Sequence, residues 1–222
     1  MNMGRTKDGF TLMELLVVVA IMAVIMGITI PAFTTMGKGS GMRGAISQLR
    51  STISLSRQWA VTHRAKTYVL FPYVTGSTDL NTKDYVEKAC KAYAVFAVTN
   101  VQGIVGDDLS AAGEFITDWK FLPSDIVLDD DADLTNNVFR AATPLTAPLS
   151  GKKVEMYAII FKPDGTPNDV TGYQVFLREG YLNVFTNDLA NPDYGFTPNG
   201  IVMGVEVSGY GGIKVNDWNG IL

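Results

Sequence analysis

The sequence contains few of the side chains on which enzymes and metal sites depend. Among its 222 residues there is one histidine, His63, and one cysteine, Cys90. A hydrolase of the Ser-His-Asp kind needs a base beside its nucleophile, and His63 falls at the predicted C-terminal end of a helix, where an imidazolium favours the helix dipole. A single cysteine cannot form an internal disulfide, so we expect Cys90 to be buried. These scarcities argue against an enzyme, and no cofactor is expected.

Charge is also sparse. Asp, Glu, Lys and Arg make up 18% of the chain, with 18 basic and 22 acidic residues and a net charge of −4. Removal of residues 1–9 would take away Arg5, Lys7 and Asp8, leaving 16 basic and 21 acidic residues and a net charge of −5. Proteins that bind nucleic acids carry clustered Lys and Arg, which this chain lacks. No nucleic-acid partner is therefore expected.

What the sequence does contain is a long apolar run near its N-terminus. Residues 10–33 form a stretch of 24 residues with one charged side chain, Glu14. As a helix this stretch is about 36 Å long, against roughly 30 Å for the hydrocarbon core of a bilayer. We therefore predict a transmembrane helix over residues 10–33. An acidic side chain at mid-membrane costs roughly 2.5–3.5 kcal/mol, so Glu14 needs a partner.

Cleavage of the chain between Gly9 and Phe10 would supply that partner. The new α-amine of Phe10 is a cation, and Glu14 lies four residues further along the same helical face. The amine and the carboxylate can then neutralise each other, within one chain or between neighbouring chains.

A resemblance to a known family rests on the segment Gly9-Phe10-Thr11-Leu12-Met13-Glu14-Leu15-Leu16-Val17-Val18, which follows a short basic leader. The segment resembles the class III signal of type IV pilins and type II secretion pseudopilins. This resemblance implies that a prepilin peptidase removes the leader, residues 1–9, after Gly9. It further implies that Phe10 becomes the N-methylated terminus and that Glu14 guides assembly. The implied partners are the peptidase, other pilin or pseudopilin subunits and inner-membrane lipid.

Other interpretations of the apolar run explain less. A secretory signal peptide has an apolar region of roughly 7–15 residues followed by small residues, whereas this run continues to Phe33. A plain membrane anchor gives no reason for Glu14. A buried core helix is an unusual role for so long an apolar run at the N-terminus.

Residues 34–64 are predicted to continue the helix, and Pro31 is similar to the proline that bends the long helix of the family. The glycines of residues 36–41 each cost a helix about 1 kcal/mol relative to alanine, so we expect the helix to loosen or break there. Beyond them, apolar spacing predicts an amphipathic helix whose stripe packs against the rest of the domain. The stripe consists of Met42, Ile46, Leu49, Ile53, Ser56 and Ala60.

The remainder, residues 65–222, is predicted to be a β-rich globular domain in the periplasm. Runs of β-branched and aromatic residues predict strands that follow one another as an antiparallel meander. Tight turns are predicted at residues 163–166 and 178–181, the second closing a hairpin, and a last hairpin at residues 209–212. The predicted strands are residues 67–71, 93–98, 116–121, 154–161, 173–177, 181–185 and 201–207. The expected fold class is α+β, with a long N-terminal helix packed on an antiparallel sheet, as in pilins.

The order of these elements is similar to that of minor pseudopilins of the general secretion pathway protein H type. Residues 57–70, 159–166 and 212–215 carry this looser likeness, and residues 75–150 carry none. The first functional hypothesis is a structural subunit of a type II secretion-like pseudopilus, held in the bacterial inner membrane by a single pass and assembled into a periplasmic filament. A minor pilin of a type IV pilus or DNA-uptake system is the neighbouring alternative. A membrane-tethered periplasmic binding module, acting through residues 75–150, is the alternative from another class.

A final pattern concerns acidic residues at alternate positions, Asp129, Asp131 and Asp133, as in calcium loops. Leu134 stands where an EF-hand requires glycine, and Arg140 stands where it requires a bidentate glutamate. We therefore expect a solvated loop here, with calcium binding by the three aspartates as the alternative.

Overall fold

Residues 11–73, 87–129, 137–141, 144–183, 193–198 and 200–217 are described by the computed structural model. The chain divides into two compact units, Met1–Ser40 and Gly41–Leu222. Among the helices of the described ranges, none is both long enough and apolar enough to cross a membrane. The membrane span expected over residues 10–33 stays a prediction.

Helix α1 runs over Leu12–His63. Gly37, Gly39 and Gly41 lie inside it, so the helix does not break at these glycines, and the loosening expected there stays a prediction. Each glycine weakens a helix by about 1 kcal/mol relative to alanine, and cooperative hydrogen bonding in the turns on both sides outweighs that loss. Pro31 also lies within α1.

In the second unit, α1 buries one apolar stripe. The stripe predicted from the sequence is confirmed: Leu49 and Ile53 are fully buried, and the other four members are at most 3% exposed. Ser56 lies on this stripe and donates a hydrogen bond to the hydroxyl of Thr67 at 2.9 Å, and that hydroxyl donates to the Ser56 carbonyl oxygen at 3.0 Å. These bonds fix the helix against the first strand of the domain.

The second unit contains two antiparallel sheets. The first has the strand order β3-β2-β1-β7-β6, with β4 also pairing with β2, and the second has the order β11-β10-β8-β5, with β9 also pairing with β8. The strands are β1 Thr67–Pro72, β2 Ala92–Val98, β3 Gly113–Phe115, β4 Lys120–Phe121, β5 Ile126–Asp129, β6 Leu145–Leu149, β7 Lys152–Phe161, β8 Tyr173–Asn183, β9 Asp193–Phe196, β10 Val202–Val207 and β11 Ile213–Asp217. A 3₁₀ turn at Val101–Gly103 and a short helix α2 at Val138–Ala141 complete the described elements.

Two apolar cores lie on the two faces of the first sheet. The larger joins the α1 stripe to side chains of both sheets, among them Val69 and Phe71 of β1. The smaller contains Tyr68 and Leu70 on the opposite face of β1, together with Leu109. Because successive strand residues point to opposite faces, both faces of β1 are buried. Residues 92–149 supply much of the smaller core. They fall within residues 75–150, which carry no likeness to the general secretion pathway protein H type.

The meander predicted for the domain is wrong in its connectivity. Strand β1 pairs with β2, its neighbour in sequence, but its other partner is β7, in the register Val69↔Ile159. Pairing between strands so distant in sequence has no local signal, because it depends on packing of the whole domain. The antiparallel arrangement itself is confirmed for every strand pair of the described sheets.

Two local predictions also fail. The strand expected over residues 116–121 is replaced by β3 and β4, because the hydroxyl of Thr117 accepts the N–H of Val95 at 2.9 Å and interrupts the ladder. The hairpin turn expected at residues 178–181 lies inside the continuous strand β8. Gly180 serves close backbone approach there, since a Cβ on it would lie 2.5 Å from the carbonyl oxygen of Gly195.

Other turn predictions are confirmed. Gly165 has a φ of +80° and donates its N–H to the Lys162 carbonyl at 2.9 Å, between β7 and β8. Strands β10 and β11 form the last hairpin, in the register Val207↔Ile213. Cys90 is fully buried, as expected.

Candidate functional site at the start of helix α1

The first turn of α1 is closed by a reciprocal pair of side chains, Thr11 and Glu14. The Thr11 hydroxyl accepts the N–H of Glu14 at 3.3 Å, while Glu14 Oε2 accepts the Thr11 N–H and the Thr11 hydroxyl, each at 2.9 Å. This is the capping box, in which Thr at the N-cap and Glu three residues later each satisfy a backbone donor that the helix leaves open. The Thr-x-x-Glu spacing in the sequence is the signal that sequence reasoning missed.

The capping box changes what Glu14 requires from its surroundings. A buried polar group costs free energy unless it is hydrogen-bonded, and Glu14 already has Thr11 as a partner within its own chain. The pairing expected with the α-amine of Phe10 stays a prediction, because Gly9 and Phe10 lie outside the described residues.

The helix surface beyond the cap is apolar on every side. From Leu12 to Met26 the large apolar side chains are between 43% and 83% exposed. An open groove along this part of the helix is lined by Leu16, Val17, Ala20, Ile21, Val24 and Ile25. Exposed apolar surface of this extent marks a membrane or protein contact in proteins generally.

Small residues interrupt this apolar surface. Ala20, Ala23 and Gly27 are spaced by three and four residues, so they lie on neighbouring positions of the helix surface. A Cβ on Gly27 would meet nothing within 4 Å. Small side chains at such spacing let the backbones of two helices approach closely.

Asp129, the first member of the acidic run, does not lie in the solvated loop expected from the sequence. Asp129 ends β5, is fully buried and forms an ion pair with Arg178 of β8, with Oδ2 and Nε 2.6 Å apart. The Arg178 guanidinium also lies 4.5 Å from the ring centroid of Phe196. Two strands that pair side by side bring these charges together, although the sequence separates them widely.

The carboxylate of Asp129 therefore lies in the interior of the domain, paired with Arg178. Asp131 and Asp133, the other two candidate calcium ligands, lie outside the described residues. Within the described ranges, no three His, Cys, Asp or Glu side chains are grouped so that they could hold a metal ion.

His63 lies at the end of α1, as predicted, and stacks on Trp59 with ring centroids 4.0 Å apart. Its Nδ1 is 3.2 Å from the Trp59 carbonyl oxygen. The ring is exposed and is held by its own helix.

Fold and site together define an α+β protein with an N-terminal helix and an antiparallel β domain, a construction compatible with that of pilins. The family model of the prokaryotic N-terminal methylation motif matches residues 4–30. The chain thus carries a type IV pilin-like prepilin signal, which implies a substrate of a prepilin peptidase and a subunit that assembles with pilin-like proteins. The signal also suggests a membrane-anchored protein of the cell envelope and a structural subunit rather than an enzyme. Neither the search of curated proteins nor that of solved structures gives a match to this chain.

Proposed function

We propose that this protein is a minor pseudopilin, a structural subunit of a periplasmic filament in a type II secretion-like system. The observation that carries the proposal is the methylation motif at residues 4–30, which contains an acidic side chain inside an apolar helix. The looser likeness of residues 57–70 to the general secretion pathway protein H type favours secretion over a pilus. Residues 10–33 would hold the subunit in the inner membrane, with residues 65–222 in the periplasm.

Processing would begin with hydrolysis of the peptide bond between Gly9 and Phe10 by the prepilin peptidase. Water adds to the Gly9 carbonyl, the leader leaves with a carboxylate, and Phe10 becomes a free amine, which then takes a methyl group from a methyl donor and releases a proton. The amine of Phe10 and the carboxylate of Glu14 would lie four residues apart in the chain, with the Thr11 cap between them. The hydrogen bonds from Thr11 occupy Oε2 of that carboxylate and orient it at the helix start.

Assembly would bring apolar helices of neighbouring subunits together. Association of helices in lipid depends on close packing and polar pairing, since lipid tails are as apolar as the side chains. Ala20, Ala23 and Gly27 would allow close approach, and Glu14 would fix the register by pairing with the amine of a neighbouring Phe10. Pro31 would bend the helix beyond this contact.

Mass spectrometry of the protein from its native membrane tests processing directly. We expect a chain that begins at Phe10 and carries one additional methyl group, and a Gly9→Val variant that keeps its leader. A chain from cells with an active prepilin peptidase that still begins at Met1 would refute the proposal.

Assembly is tested with three substitutions at the helix start. Glu14→Gln should leave the protein folded, processed and membrane-bound but reduce its incorporation into sheared or cross-linked filaments. Thr11→Val removes the hydroxyl that holds Glu14 and should reduce incorporation less, whereas Thr11→Ser keeps the hydroxyl and should assemble like the natural protein. Normal incorporation of Glu14→Gln would count against an assembly role for this carboxylate.

A further inference from the structure

Strand β11 lies at the end of the second sheet, and within the described part of the chain no further strand pairs with its outer edge. The N–H of Ser208 donates to the carbonyl oxygen of Gly212 at 2.8 Å, and the register of the hairpin then pairs Glu206 with Lys214 and Val205 with Val215. Because bonded pairs alternate along an antiparallel ladder, Lys214 exchanges hydrogen bonds with β10. The backbone N–H and C=O groups of Ile213 and Val215 therefore point away from the sheet.

One edge of the first sheet, by contrast, is blocked at β6. Thr146 points its backbone groups outward, where its carbonyl accepts the N–H of Leu109 at 2.8 Å and its N–H donates to Asp107 at 2.9 Å. Two residues further on, Pro148 faces the same way and has no N–H to offer. Natural proteins block in this manner the sheet edges that must not pair with other chains.

The opposite edge of the second sheet, at β5, is blocked as well. The N–H of Leu128 donates to the carbonyl oxygen of Cys90 at 2.9 Å, and the N–H of Ile126 donates to Pro123 at 3.1 Å. The N–H groups that point outward from β5 are thus used within the chain, whereas those of Ile213 and Val215 have no such partner among the described residues.

Exposed side chains adjoin the open edge. Tyr210, in the turn that leads into β11, is 90% exposed, and Val170, in the β7–β8 loop, is 82% exposed. The two loops touch, since a Cβ on Gly209 would lie 2.1 Å from the carbonyl oxygen of Val170. Ile213 and Val215 border the larger core, and exposed Lys214 points to the other face.

We propose that β11 receives an extended segment of another protein as an additional strand. The segment that fits has apolar side chains at alternate positions, to continue the core face beside Ile213 and Val215, and an acidic residue opposite Lys214. Backbone hydrogen bonds supply affinity in such strand addition, and the alternating side chains supply specificity. Tyr210 provides a large exposed contact at one end. An acidic residue across the new strand pair would complement the exposed Lys214. The inference does not depend on processing at Gly9.

Amide hydrogen exchange on the full-length protein in detergent micelles tests the open edge. Without a partner, the amides of Ile213 and Val215 should exchange rapidly, and those of Lys214 and Asn216 slowly. Addition of the capped peptide Thr-Val-Glu-Val-Thr-Val should slow exchange at Ile213 and Val215 by at least about tenfold. Protection of these two amides before the peptide is added would show that this chain or a second copy already covers the edge, and would overturn the proposal.

Peptide affinity, measured by fluorescence anisotropy, separates backbone pairing from charge. Val215→Pro removes one outward N–H and should weaken binding about tenfold, whereas Val215→Thr keeps that N–H and should bind within about twofold of the natural protein. Lys214→Glu should reverse the preference, so that the peptide with Lys in place of Glu binds more tightly. Circular dichroism confirms that each variant is folded. Equal binding by Val215→Pro, or no effect of either charge exchange, would refute the proposal.

Discussion

Arg57 of α1 donates a hydrogen bond from Nε to the carbonyl oxygen of Gly165, 108 residues further along the chain, at 2.9 Å. Gly211, in the turn between β10 and β11, approaches the same guanidinium: a Cβ on it would lie 2.8 Å from Arg57 Nε and 2.5 Å from the Gly165 carbonyl oxygen. Both glycines have positive φ, +80° and +79°. The end of the helix and two turns of the β domain therefore meet at a point where a side chain does not fit.

Replacement of Gly211 by alanine should consequently destabilise the domain. The left-handed backbone costs a residue with a Cβ about 1–2 kcal/mol, and crowding against the Gly165 carbonyl adds about 1–3 kcal/mol. Gly151→Ala is the matched control, because Gly151 has a φ of +78° but nothing within 4 Å of an added Cβ. Urea denaturation should show the larger loss for Gly211→Ala; equal losses would mean that the crowding is relieved by movement.

The buried ion pair between Asp129 and Arg178 leads to a second prediction. Asp129→Asn leaves the Arg178 charge without its counter-ion in a site where its side chain is 12% exposed, and loss of one partner of a buried pair costs about 3–5 kcal/mol. The control is Asp108→Asn, whose partner Lys153 is 65% exposed. Thermal denaturation should show a far smaller change there, because solvent screens surface ion pairs. Similar melting temperatures for both variants would contradict this account.

Alkaline pH should weaken the domain through Tyr93. Burial raises the pKa of its phenol to about 12. An unfolded tyrosine loses its proton near pH 10. Between about pH 10 and 12 the folded state thus binds more protons than the unfolded state, so the free energy of unfolding falls as the pH rises through this interval. Burial likewise raises the pKa of Tyr173 to about 12.

Tyr93→Phe should make the fall in stability between pH 10 and 12 shallower, as measured by urea denaturation across that range. Tyr210→Phe, at a position that is 90% exposed, is the matched control and should leave the curve unchanged. An identical pH dependence in the natural protein and in Tyr93→Phe would argue against a buried phenol at this position.

Strongly periodic segments of this chain were predictable from sequence. The stripe from Met42 to Ala60 repeats at helical spacing, and strands β1 and β2 are dense runs of β-branched and aromatic residues, so local chemistry and tertiary packing agree there. Gly180 shows why other segments could not be predicted from sequence. A glycine after a charged pair is typical of a turn, but the same residue also permits close approach of a neighbouring strand, and only the position of Gly195 decides between the two.

The candidate site likewise contains contacts that were predictable from sequence and contacts that were not. The Thr11–Glu14 cap joins residues three apart and has a sequence signal, whereas the pairing of Asp129 with Arg178 depends on the register of β5 against β8. Pro148 is a similar case, because proline counts against a strand in sequence but suits an outward-facing position at a sheet edge.

The cap that begins α1 is made from residues on one side of the expected cleavage point. Neither Thr11 nor Glu14 borrows an atom from the leader for these bonds. A precursor and its processed product would consequently share the same first helical turn. Proteolysis would change the charge at the N-terminal end of the helix without changing the hydrogen bonds of that turn. Maturation would thus act through the charge of the new terminus, while the fold of the helix start is already complete in the precursor.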